Sequence, residues 1–87
     1  MDLVRFREML AGNYFHCQLW HRLKLEDRAV CEDFIRRNWH LPPNERETMI
    51  NRLYTDVPAK PKLWSGILSL LSNFNAFDRC LSLNRLP

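Results

Sequence analysis

The chain has 87 residues, 46% apolar and 26% charged. That is room for one domain, 1–87, and the composition excludes a collagen-like, low-complexity or disordered chain. Thirteen Lys and Arg against ten Asp and Glu leave a charge of +3, too small an excess to demand a nucleic-acid partner.

The spacing of apolar residues predicts helices along most of the chain. Leu3, Phe6, Met9 and Leu10 share one helical face, so a first helix runs from Leu3 to about Ala11. Asp2 suits its start, and Gly12-Asn13 its stop. Tyr14 to Leu25 carries two rows, Phe15-Leu19-Leu23 and Tyr14-Cys17-Trp20, which together predict a broad apolar helical face. Glu26 to Asn38 reads as an amphipathic helix, with acids in its first turn and Arg36-Arg37 in its last. Leu41-Pro42-Pro43 ends it, and Pro43 suits the first position of the next helix, Asn44 to about Thr55. A proline-punctuated loop, 56–61, follows. Lys62 to Ser72 forms the most apolar helix, with Asn73 and Asn75 expected to end it. Ala76 to Leu83 makes a short last helix, followed by a leucine-containing tail. The expectation is an all-α domain, a small bundle of four to six short helices.

Three cysteines, Cys17, Cys31 and Cys80, are an odd and widely spaced set. They read as reduced thiols and point to the cytoplasm. The N-terminus lacks the apolar core of a signal peptide. The longest nearly apolar run, Leu63 to Leu71, is far short of a bilayer span, so no membrane partner is expected.

Four constellations bear on chemistry. Cys17 and His21 lie four apart, as zinc ligands do on a helix, but no second ligand pair accompanies them, so no metal or other cofactor is expected. No nucleophile elbow or Gly-rich phosphate loop is present, and the chain offers little wall for a substrate pocket. No catalytic residue is assigned, and the protein is not expected to be an enzyme.

The segment Glu26–Asn38, turn, Asn44–Thr55 has a helix–turn–helix outline. Asn44, Arg46, Asn51 and Arg52 would face DNA in that reading. Glu45 and Glu47 would repel the phosphates, and the turn is long and lacks glycine. A DNA-binding regulator is therefore the alternative.

Three tryptophans and ten arginines point first to protein binding, because Trp, Tyr and Arg anchor interfaces. Arg36, Arg37, Trp39, Lys60, Lys62 and Trp64 cluster near connections and are the predicted binding surface. The expected function is that of an accessory regulator or inhibitor of a larger protein, such as a phage- or plasmid-type modulator of a host nucleic-acid-processing enzyme. A homodimer through the apolar Leu63–Phe74 helix is a further option.

Overall fold

The computed structural model describes residues 2–56 and 63–84. The architecture is all-α, with five helices: α1 Asp2–Ala11, α2 Tyr14–Arg22, α3 Leu25–Asn38, α4 Pro43–Asp56 and α5 Trp64–Asn84. No strand occurs among the described residues. Helix α5 packs against α4 and α1, and α1 in turn packs against α2 and α3.

The helix ends follow local chemistry. Asn13 closes α1 and opens α2: its N–H donates to the Leu10 carbonyl, and its side-chain Oδ1 accepts the His16 N–H. That is the usual service of an N-cap asparagine. Helix α2 is shorter than its apolar pattern suggests, because Leu23 and Lys24 leave the helix in extended conformation. Arg28 of α3 then covers the open end of α2, donating from Nε to the Trp20 carbonyl and from Nη2 to the His21 carbonyl. Pro43 takes the first helical position of α4, where it has no N–H to lose.

Helix α5 corrects one expectation. It does not stop at Asn73 or Asn75 but runs for 21 residues, absorbing the short helix expected over Ala76–Leu83. The amides that would otherwise compete with the helix backbone are engaged across the bundle. Asn75 donates from Nδ2 to the Pro43 carbonyl and accepts from Arg46, while Asn73 donates from Nδ2 to the Met9 sulfur.

The core is one cluster drawn from every helix. Ile67, Leu70, Leu71 and Phe74 of α5 are fully buried at its centre, and Phe6, Phe34, Ile35, Ile50 and Trp39 close around them. A run of rings crosses it. The Arg46 guanidinium lies 4.8 Å over Trp39, which stacks on Phe74 at 4.4 Å and 11°. Phe74 meets Phe6 edge-on at 5.2 Å, Phe6 meets Trp20 edge-on at 5.1 Å, and Arg28 sits 5.8 Å over Trp20. Offset and edge-on ring pairs add to the area they bury. A cation thus closes the series at each end.

A buried carboxylate sits beside that series. Asp78 of α5 is 2% exposed and accepts from two arginines: Arg46 Nη1 of α4 at 2.7 Å and Arg5 Nη1 of α1 at 2.9 Å. Arg46 also donates to the Leu41 carbonyl at 2.8 Å and to Asn75 Oδ1 at 3.3 Å. Breaking a buried pair from one side strands the other charge, which costs about 3–5 kcal/mol. Asp78→Ala is expected to lose that much in urea unfolding. Arg5, whose side chain is 31% exposed, keeps access to water, so Arg5→Ala is expected to lose about 1 kcal/mol or less. Equal losses for the two variants would show that Arg5, not Arg46, is the partner that matters.

Candidate functional site

Among the described residues, the large apolar groups most exposed to water lie on or beside the outer face of α2, with Val4 of α1 a less exposed fourth. Tyr14 is 81% exposed and Phe15 69%, and Leu25, just beyond the helix, is 78%. At about 100° per residue, Tyr14, Phe15, Gln18, His21 and Arg22 occupy one arc of roughly 120°. All five are exposed. His16 and Trp20 lie on the side of α2 opposite that arc and are half-buried, while Leu19, on its flank, and Leu23, just beyond the helix, are buried.

The orientation of α2 has a local cause. Leu19 lies against Gly66 of α5, where an added Cβ would fall 2.8 Å from a Leu19 methyl. The missing side chain lets the two helices approach closely. His16 Nε2 lies 3.3 Å from Ser69 Oγ on the same side, and Trp20 is held between Phe6 and Arg28. With that side committed to the bundle, Tyr14 and Phe15 face solvent. A groove of about 210 Å³ runs alongside, between α1, α2 and α3, with Phe6, Trp20 and Leu25 in its lining and Arg7 and Arg28 among its polar groups. No Asp or Glu occurs from Met9 to Leu25, and the first acids after α2 are Glu26 and Asp27 in the first turn of α3.

The residues expected from sequence to form a binding surface are not brought together. Trp39 is 3% exposed and Trp64 6%, and both belong to the core. Their closeness to connections does not carry them outward, because Trp39 is needed as the layer between Arg46 and Phe74. Arg36 and Arg37 are exposed, but each lies beside a carboxylate one turn back on its own helix, Glu32 at 3.7 Å and Asp33 at 2.9 Å. Such pairs are ordinary solvated neighbours. Lys60 and Lys62 lie outside the described residues, as do the rest of the proline loop beyond Asp56 and the tail from 85 onward.

The DNA-facing set is divided in the same way. Asn44, Asn51 and Arg52 are exposed on α4, beside exposed Glu45 and Glu47. Arg46 is not among them. It is 8% exposed and turned inward to Asp78, because it shares its helical row with Ile50 and Leu53. The residues missed from sequence are Tyr14, Phe15, Gln18, His21, Arg22 and Leu25. Tyr14 and Phe15 were expected to point inward with Leu19, Leu23 and Trp20. The signal that could have found them is the acid-free stretch around a short helix with aromatics at one end and cations at the other.

The nucleophilic groups are dispersed. Cys17 is half-buried, Cys31 buried and Cys80 exposed, and all three are free thiols. Burial pushes the Cys31 thiol up to about 12, with help from the Asp27 and Glu32 carboxylates. Burial lowers the pKa of His16. Cys17 and His21 stand one turn apart on α2, half-buried and exposed respectively, and among the described residues no group of three or more His, Cys, Asp or Glu could hold a metal ion. The chain matches no known protein family, no curated protein and no solved structure.

The thiols give a direct check on the packing. In the native protein Cys80 is expected to react with iodoacetamide, while Cys31 reacts only on unfolding. Because the folded Cys31 pKa lies above its ordinary value of 9.0, the neutral thiol contributes stability that is intact below pH 9 and lost as pH rises toward about 12. Urea midpoints are therefore expected to fall more steeply across that window for the native protein than for Cys31→Ala. Parallel profiles would place Cys31 in contact with water.

Proposed function

We propose that the protein is a non-enzymatic binding protein of the cytoplasm, an accessory regulator or inhibitor that docks on a larger protein through the outer face of α2. One observation carries this reading: among the described residues, the three large apolar side chains that stand furthest into water, Tyr14, Phe15 and Leu25, all lie on or just beyond α2. Tyr and Arg are the types that anchor interfaces, and exposed apolar groups set among polar ones mark interaction surfaces. The free thiols fit a reducing compartment. No described helix is long and apolar enough to cross a membrane. The DNA-binding alternative has lost its central arginine to the core, since Arg46 is engaged by Asp78, Asn75 and the Leu41 carbonyl.

The test compares the native protein with Tyr14→Ser/Phe15→Ser as bait in a lysate of the native host, after nuclease treatment and a high-salt wash. Both side chains are exposed, so the double variant is expected to keep its helical circular dichroism and its Tm. It is expected to lose one stoichiometric protein that the native bait retains, through an affinity loss of about 2 kcal/mol or more. Retention of that protein by the double variant would remove α2 from the interface. Recovery of nucleic acid alone would return the reading to a nucleic-acid-binding regulator.

A further inference from the structure

An imidazole sits in the seam between α2 and α5, and we propose that it makes this seam an acid-sensitive latch: neutral His16 holds the N-terminal half of α2 on α5, and protonated His16 releases it. The contacts along the seam run in opposite order on the two helices. Asn13 shares a groove with Asn73, His16 Nε2 lies 3.3 Å from Ser69 Oγ, and Leu19 lies against Gly66. The helices are therefore antiparallel here, with His16 between the cap of α2 and its closest approach to α5.

The position accepts a neutral ring and resists a charged one. His16 is half-buried, and its Nδ1 is closed off from water with no hydrogen-bond partner. The neutral ring fits with its proton on Nε2, donated to Ser69 Oγ, and a bare lone pair on Nδ1. A second proton would have to go on Nδ1, as a charged N–H facing no acceptor, and such a donor is costly to bury. His16 also lies in the first turn of α2, where the helix dipole opposes a positive charge.

No carboxylate offsets these costs. On α5 no charged residue occurs from Leu63 to Phe77, and Asp78 is taken by Arg5 and Arg46. The other titratable or charged side chains of α2 are Tyr14, Cys17, His21 and Arg22, none of them a carboxylate. On α1, Arg5 is held by Asp78, Arg7 lines the groove beside Trp20, and Glu8 is exposed. On α3, Arg28 covers the last carbonyls of α2. Among the described residues no ion pair reaches His16. Burial accordingly holds its pKa below the ordinary 6.5. A histidine lowered in the folded state contributes stability that is intact above pH 6.5 and lost as pH falls through the folded value.

The release is local. Asp78 fastens α1, α4 and α5 but not α2, and the C-terminal half of α2 is gripped separately through Leu19, Trp20 and Arg28. The segment that yields is therefore the first turn, Asn13 to Cys17. The latch lies on the side of α2 turned to the bundle, so it does not rest on the docking proposed for the outer face.

The test is amide hydrogen exchange of the full chain, expressed as protection factors, from about pH 7.5 to about pH 5. Protection of the His16 and Cys17 amides, which donate to Asn13, is expected to fall severalfold, while that of Leu70 and Phe74 in the core holds. His16→Gln keeps a donor for Ser69 and cannot titrate, so its protection is expected to stay flat across the window. His21→Gln, on the exposed side of the same helix, is expected to keep the native response. The imidazole resonances of the native protein read the ring directly, and His16 is expected to titrate below 6.5. Native protection that does not change with pH overturns the proposal, as does a response that survives His16→Gln or is lost in His21→Gln. The native titration decides by itself if His16→Gln does not fold: a His16 midpoint at or above 6.5 overturns the latch.

Discussion

The fold turns on one carboxylate. Asp78 is the point where α1, α4 and α5 are fixed to one another, through Arg5 and Arg46. Apolar contacts alone leave packed helices free to settle in neighbouring registers, because hydrophobic attraction is non-directional. A carboxylate with two separately directed oxygens does not allow that. Its Oδ1 is taken by α1 and its Oδ2 by α4. A buried ion pair contributes little net stability compared with well-packed apolar residues, since desolvation offsets most of the attraction. Its effect here is on which arrangement forms. Arg46 strengthens that choice by donating also from Nε to the Leu41 carbonyl and from Nη1 to Asn75, which ties down the turn between α3 and α4.

The ring series continues the same constraint across the molecule. From Arg46 it passes through Trp39, Phe74, Phe6 and Trp20 to Arg28, touching all five helices or their ends. Trp20 is the last ring, and it sits in the C-terminal half of α2. That half is therefore the part gripped by the bundle, with Leu19 against Gly66 and Arg28 covering the final carbonyls. The N-terminal half is held by the Asn13 cap and the contact of His16 with Ser69. The exposure of Tyr14 and Phe15 follows from this uneven attachment.

The helices were largely legible in the sequence, because apolar spacing, capping residues and the two prolines all spoke for the same elements. α5 was misread at Asn73 and Asn75, whose amides look like helix stops until their partners on α1 and near α4 are known. Arg46 was misread for a related reason. It lies in one row with Ile50 and Leu53, and Asp78 lies in one row with Ile67, Leu71 and Phe74. Opposite charges set singly into two apolar rows are the trace of a buried pair, and Asp78 is the only acid after Asp56. Reading Arg36, Arg37, Trp39 and Trp64 as a surface rested on residue type. Residue type names what anchors an interface, but the same large side chains fill cores, and in a chain this short core demand prevails.

That demand gives the α2 face its meaning. A chain of 87 residues builds a small core and needs most of its large apolar side chains for it. This one buries Phe6, Phe34, Trp39, Trp64 and Phe74 and half-buries Trp20 and Phe77. Tyr14 and Phe15 could be polar without loss to that core, since neither belongs to it. Phe15 meets the His16 ring edge-on at 5.3 Å, at the margin of that core and not within it. Two aromatics kept in water beside an arginine, on a stretch without a single acid, are therefore the part of the chain that core packing does not account for.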